Sequence, residues 1–383
     1  MEKKMNTKYL DEHLDSLKEK TGVQAYNCKI MRDHELIYQR HSGYSDKETK
    51  REMTTDSLVN LYSCSKVITC CAAMQLAERG KIMLHEPVSK YIAEFADVKV
   101  KEKQGDKLIL RDPKREMRIY DLFSMMSGIN YDLSSPSIRE LRERTNGACP
   151  TVDIARAIAK EGLEFDPGER FMYGLSHDVL GALVEVVSDM PFGDYLKKNI
   201  FDPVGMTDTG FSVPEEKMHR MADQYLKQDG KDAERIEKTQ CIYRLGTKHQ
   251  SGGAGIISCT DDYILFADAL ANGGVAKTGE RILSKAAIDT MRTSRLTAEN
   301  EWSFHHSSYG MGYGLGVRTC VSRTGGTLIP LGAFGWDGAA GSFTLIDPDN
   351  RLAIFYCQHM IGNAGNDYKD IRTANIVYAY LLD

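Results

Sequence analysis

No apolar run in this 383-residue chain approaches the roughly 20 residues that a membrane-spanning helix needs, so no membrane partner is expected. The opening residues, MEKKMNTKYLDEHLDSLKEKTG, lack the apolar stretch of a secretory signal. Leu10, Leu14 and Leu17 instead fall at helical spacing and predict an amphipathic first helix. A cytoplasmic protein is the expectation. Neither sign of charge dominates: 49 Lys and Arg against 54 Asp and Glu leave a formal charge of −5, which gives no footing for a nucleic-acid partner. Basic stretches such as KVKEKQGDK (99–107) mix both signs and read as solvated loops. There is no Cys-x-x-Cys pair. The nine cysteines are an odd number, most of them set in apolar runs such as TCCAAM (69–74), which fits buried free thiols in a reducing compartment better than a disulfide framework or a zinc site. Gly-x-Ser-x-Gly, His-Glu-x-x-His, a Walker loop and the dinucleotide fingerprint are all absent.

What is present is an ordinary globular composition, 42% hydrophobic and 27% charged, in a chain long enough for a large core. Residues 23–46 read as a hairpin turning near Arg32-Asp33. A helical pattern follows Asp56 and stops at Gly80. Helical signals then dominate to about 245, clearest in IYDLFSMMSG, TVDIARAIAKEG and DVLGALVEVVSDM. SGGAGIISCTDDYILFADALANGG (251–274) gives a glycine-rich entry, a cap at Thr260 or Asp261, and a helix closed by two glycines. GMGYGLG (310–316) reads as a strand in a tight place. Strands return in YGLGVRTC and in AGSFTLIDPDNRLAIFYCQHM, and KDIRTANIVYAYLLD forms a last helix. The expected fold is α/β of the α+β type. Residues 1–60 and 246–383 build an antiparallel sheet domain flanked by helices, 61–245 form a mostly helical domain, and a site lies in the cleft between them.

Ser63 is the only serine followed three residues later by a lysine. The bare spacing is weak, since chance supplies it readily; its place at a helix start is stronger. Positions i and i+3 share a helix face, so Lys66 can reach the Ser63 hydroxyl. A serine hydroxyl needs a neighbouring base to become a nucleophile, and a buried lysine amine can serve as one. The alternative is a capping serine beside a lysine that reaches for solvent.

Several segments together resemble the class C β-lactamase and penicillin-binding-protein-like serine hydrolases: LYSCSKVIT, DLFSMMSGINYD, FDPGERFMYGLSHDVLGALVEVVSDMPFGDYLKKNIFDPVGMTDTGF and SGGAGIISCTDDYILFADALANGG, in the family's order from about 25 to 360. The resemblance implies a β-lactamase/transpeptidase-like fold, Ser63 as nucleophile, Lys66 as its base and Tyr173 as a second proton carrier. Lys277-Thr278-Gly279 matches the family's third motif in letters, but it follows NGGVA and precedes a helix-forming run, so it is expected in a turn. The matching strand is GWDGAAGSFTLIDP, in which Trp336-Asp337-Gly338 replaces the lysine box. In that register the N–H groups of Ser63 and Ala339 form the oxyanion hole, Gly338 permits close approach, and Leu175, Trp336 and Gly338 line the substrate pocket. Leu175 stands where β-lactamases carry an asparagine, and Trp336 where they carry a cation. Both changes disfavour an anionic amide substrate and resemble the β-lactamase-like (family VIII) carboxylesterases.

The expected function is thus a serine hydrolase cleaving small or medium acyl esters through an acyl-serine intermediate, with a small-molecule ester as partner. For such a hydrolase no metal and no organic cofactor is expected. A β-lactamase, D-amino-acid peptidase or acyltransferase of the same fold is the first alternative, and a non-catalytic binding protein the second. Met125, Met126, Met172 and Met311 are candidates for adaptable pocket surface. His305-His306 read as surface-loop histidines rather than metal ligands, and HELIYQR and ENEWSFHHSS (299–308) as segments near the site. The oligomeric state is not legible.

Overall fold

The structure is a computed structural model and describes residues 6–228, 230–362 and 366–382, the side chains of 366–368 excepted. Its centre is an eight-stranded antiparallel sheet. The strands are β1 (Ala25–Arg32), β2 (Glu35–Asp46), β3 (Arg51–Glu52), β4 (Met311–Tyr313), β5 (Arg318–Cys320), β6 (Phe334–Asp337), β7 (Phe343–Asp347) and β8 (Leu352–Gln358), in the order β4-β5-β6-β7-β8-β1-β2-β3. The two ends of the chain meet at its middle, where β1 pairs with β8 from Tyr26↔Gln358 to Arg32↔Leu352.

The apolar run of β8 explains its central place. Leu352, Ile354 and Tyr356 face one layer of core, while Ala353, Phe355 and Cys357 face the other, as expected of a strand covered on both sides. On the first face lie α1 (Lys8–Thr21), burying Leu10, Leu14 and Leu17, and a last helix, Asn366–Tyr380. His13 Nε2 lies 3.1 Å from Thr373 Oγ1, and the Tyr9 and Tyr380 rings are 4.5 Å apart, so the two terminal helices pack on each other. Arg40, in the HELIYQR segment, is held by Asp11 and Asp15 of α1. The second face carries the helix Thr260–Ala271, whose Tyr263 ring stacks on Phe355 at 4.2 Å. Beyond it stands α2 (Ser65–Glu78), buried on nearly every side, and against α2 packs Ser176–Ser188.

Some local expectations shift. The hairpin turns at Asp33-His34, both with positive φ (53° and 66°), the two-residue turn whose twist matches the strands. The helical pattern after Asp56 begins only at Ser65, because Val59–Asn60 pairs with Ile257–Ser258. The cap of the helix Thr260–Ala271 is Cys259, and Thr260 is already inside it. The GMGYGLG run is strand only over Met311–Tyr313, before a turn that leads into β5. All nine cysteines are free and buried. No helix among the described residues is long and apolar enough to cross a membrane.

Candidate active site

Ser63 occupies a 3₁₀ turn, Tyr62–Cys64, that leads directly into α2. The preceding residue, Tyr62, is fully buried with φ of +49°, a backbone conformation costly for a bulky residue and kept only when its surroundings enforce it. Here they do. The Tyr62 hydroxyl donates to Gln224 Oε1 at 2.5 Å, and its ring meets the edge of Tyr243 at 5.8 Å. On one side of the turn, the Leu61 N–H donates to Ile256 O at 2.9 Å and the Ile256 N–H to Ser65 Oγ at 3.2 Å. On the other, Ser342 Oγ donates to Leu61 O at 3.2 Å. The serine is therefore clamped between the 251–257 loop and the turn that joins β6 to β7.

Lys66 is 0% exposed, and its Nζ lies 3.2 Å from Ser63 Oγ. The amine also donates to the Gly253 carbonyl at 2.6 Å and stands 4.6 Å from the Tyr173 ring centre and 5.8 Å from that of Tyr131. Asp178 lies behind it, its Oδ1 accepting from Ser251 Oγ at 2.6 Å and lying 3.5 Å from His249 Nε2. Burial pushes the Asp178 carboxyl up. The His249 and Ser251 contacts and the Lys66 charge outweigh that, and the group ends below its usual value. A buried carboxylate thus faces the lysine from beyond Gly253. His177, the residue before it, is driven down to about 3 by burial and then by the Lys66 charge, so it is a neutral core imidazole near neutral pH, its Nε2 3.0 Å from Phe123 O.

Tyr173 joins this group from the approach to the helix Ser176–Ser188. Its hydroxyl oxygen accepts from the Trp336 indole N–H at 3.1 Å, and its ring packs against Trp336 and Tyr131, both at 5.6 Å. Together these residues floor and wall a cavity of about 590 Å³, bounded also by Phe171, Tyr243, Ser303, Asp337, Gly338 and Ala339. Asp337 is held by both Nη atoms of Arg318, at 2.6 and 2.9 Å. Burial pushes its carboxyl up, but the Arg318 contact prevails and leaves it lowered. Gly338 has no room for a side chain: a Cβ would lie 2.3 Å from Ser342 Oγ and 2.4 Å from Leu61 O. Its smallness lets the end of β6 lie against the turn that carries Ser63.

Ser63, Lys66, Tyr173, Trp336, Gly338 and Ala339 thus converge on one place. Leu175 does not. It is buried in the core outside the cavity wall, with its N–H donating to Asn130 O at 3.1 Å, so its assignment to the pocket is corrected. Met125, Met126 and Met311 are likewise core, and Met172 is absent from the cavity wall. The Lys277-Thr278-Gly279 tripeptide lies at an exposed turn, where Lys277 Nζ donates to His34 O at 2.8 Å. His305 and His306, read as surface-loop residues, both line the cavity, with ring centres 3.8 Å apart. Burial and then the Arg318 charge push His306 down to about 3. Tyr131 was within reach of sequence reading, since it belongs to the SGINYD segment. Phe171 was likewise within reach, two residues before Tyr173, whereas Tyr243 and the two histidines carry no motif. Among the described residues one trio has metal-ligand chemistry, Asp208, Cys259 and Asp262. It lies outside this cavity, and Asp208 is already paired with Lys217 and Arg220 at 2.6 and 2.7 Å.

A serine hydroxyl beside a buried amine, at the start of a largely buried helix and against the end of a strand of an antiparallel sheet, defines the class as the serine hydrolases of the β-lactamase/transpeptidase fold. The beta-lactamase family profile matches residues 10–377, and the chain belongs to that family. It is 31% identical over 337 residues to Protein Rv1367c of Mycobacterium tuberculosis, covering 85% of this chain and 83% of that one. It is 26% identical over 360 residues to a putative D-alanyl-D-alanine carboxypeptidase of Escherichia coli, covering 87% and 77%. Among solved structures it is similar to EstCE1, described as a hydrolase with promiscuous acyltransferase activity, with a TM-score of 0.78, 22% identity and 98% of both chains covered. It is also similar to simvastatin synthase (LovD) of Aspergillus terreus, with a TM-score of 0.80, 21% identity and 97% and 98% covered. These two likenesses concern the fold.

Proposed function

We propose that the protein is a serine carboxylesterase acting on small or medium acyl esters. One observation carries the reading: Lys66 Nζ lies 3.2 Å from Ser63 Oγ at the base of an aromatic cavity that presents no lysine or arginine among its described wall residues. In its neutral form an amine anchored on the Gly253 carbonyl offers its lone pair to Ser63, which attacks the ester carbonyl carbon as its proton passes to Lys66. The negative charge on the former carbonyl oxygen falls to the N–H groups of Ser63 and Ala339. Tyr173 and Lys66 deliver the proton to the leaving alkoxide. Water then attacks the acyl-Ser63 carbonyl, gives its proton to the same pair, and releases the acid and free Ser63.

An ester suits these walls better than a penicillin or a peptide ending in a carboxylate. Trp336 supplies an apolar surface where a cation would be needed to hold an anion, and the Arg318 charge beyond it is already taken by Asp337. The buried thiols fit a reducing compartment, and the cytoplasm is the proposed location. The named carboxypeptidase relative and the acyltransferase activity in the EstCE1 description favour peptidase and acyl-transfer readings as the second choice.

The deciding measurement is the initial rate of p-nitrophenyl butyrate hydrolysis by the wild type and Ser63→Ala, purified in parallel. The expected result is a rate reduced to background in the variant. Equal rates would remove Ser63 from the mechanism. No rate in either, with cleavage of a D-Ala-D-Ala peptide instead, would replace the esterase reading with the peptidase one.

A further inference from the structure

A second and larger concavity, of about 1020 Å³, lies behind the Gln240–Arg244 segment: Tyr243 lines the aromatic cavity, whereas Gln240, Cys241 and Arg244 line this groove. Three cations face it, Arg142, Arg244 and Lys248, against one carboxylate, Glu185. The balance is the reverse of that of the whole chain, whose formal charge is −5. No carboxylate pairs with any of the three cations among the described residues. Glu185 is engaged, accepting the Phe192 N–H at 3.0 Å.

Arg244 is the pointed case. Its Nε and Nη2 are both buried and meet no protein acceptor among the described residues. These two nitrogens form one edge of the guanidinium, the edge that takes a carboxylate or phosphate through two parallel hydrogen bonds. Leaving that edge unpaired is costly for a fold, and surface arginines avoid the cost by staying in water. Arg142 is held from the same side, its Nη2 donating to Leu245 O at 3.1 Å, and Lys248 stands exposed at the rim.

We infer that this groove is an anion-binding subsite, with Arg244 as the bidentate contact once its buried edge turns into the groove and Arg142 and Lys248 supplying further positive charge, and that its ligand is a carboxylate or phosphate. Two sources share that chemistry. One is the far end of the ester substrate, reaching past Tyr243, and this version rests on the esterase reading. The other is a free small anion that binds independently of any reaction.

Two measurements separate them. Calorimetric titration of inorganic phosphate and of glutarate into Ser63→Ala at low ionic strength reads binding without turnover. Saturable binding is expected, weakened about tenfold or more when Arg244→Gln is added and less by Lys248→Gln. Kinetics then compare a p-nitrophenyl ester carrying a terminal carboxylate on its acyl chain with the corresponding neutral methyl ester. If the anion is the substrate's tail, the charged-to-neutral ratio of kcat/KM falls about tenfold in Arg244→Gln through KM. If the anion is free, the ratio holds while phosphate or glutarate binding is lost. Should Arg244→Gln melt well below the wild type, Arg142→Gln serves in its place. Absence of saturable binding to Ser63→Ala together with an unchanged kinetic ratio overturns the inference. A protein that hydrolyses no ester at all still leaves the titration to decide it.

Discussion

At the scale of single residues, the indole N–H of Trp336 donates to the Tyr173 hydroxyl oxygen and thereby fixes where that hydroxyl points. Trp336→Phe keeps an aromatic ring in the wall and removes this donor together with part of the indole's bulk. With p-nitrophenyl butyrate we expect kcat to fall by about tenfold, the worth of one hydrogen bond, with KM nearly unchanged; an equal kcat would mean that Tyr173 needs no such anchor. His177 gives a residue-scale prediction about acid. Its folded pKa of about 3 lies below the ordinary 6.5, so between those values the unfolded chain binds the extra proton and stability falls as pH drops below about 6.5. His177→Gln removes that contribution, and its melting temperature is expected to decline less from pH 7.5 to 5 than that of the wild type. Equal slopes would show that His177 titrates alike in both states. That Ser63 and Lys66 meet was legible from their spacing at a helix start, and that Tyr173 joins them was implied by the resemblance of its segment. Leu175 was misread because adjacency to Tyr173 does not fix which way the chain turns after it. The ENEWSFHHSS segment was read as lying near the site, but that His305 and His306 are the residues that line the cavity depends on long-range packing against Arg318 and could not be read from the sequence.

Between elements, the joint that matters is the end of β6 against the turn bearing Ser63. Gly338 sets their separation, and the Gly338→Ala methyl would fall within 2.4 Å of the Leu61 carbonyl oxygen. That oxygen belongs to the backbone and not to a flexible side-chain tip, so one of the two chain segments must move. We expect a loss of about 1–3 kcal/mol of stability together with a drop in kcat, measured by thermal melting and steady-state kinetics; unchanged values for both would show that the joint is loose. The principal strands and helices could be read from periodicity, since β8 and α1 carry strong patterns. Their edges could not. Val59–Asn60 is too short to show alternation, and its strand character comes from Ile257–Ser258, almost 200 residues away. The order of strands in the sheet is equally non-local and was not read from the sequence.

The molecule as a whole keeps its nine thiols out of reach. Burial pushes the Cys64, Cys70 and Cys71 thiols far above their ordinary values, which suppresses the reactive thiolate. Ellman's reagent is therefore expected to titrate few thiols in the native protein within minutes and all nine in denaturant; rapid native labelling of several would contradict the packing described for α2 and β8. The pairing of β1 with β8 also has a consequence in time. Asn27 and its partner Cys357 are 330 residues apart along the chain. At about 5–20 residues per second, a ribosome needs roughly 16 to 66 s to make the second after the first. Throughout that interval the nascent hairpin of β1 and β2 can close on itself, but the other edge of β1 stays unpaired, a row of exposed amides and carbonyls flanked by Tyr26, Cys28 and Ile30 that invites pairing with other chains. Nascent chains of this protein therefore depend on whatever covers that edge until the last strand emerges.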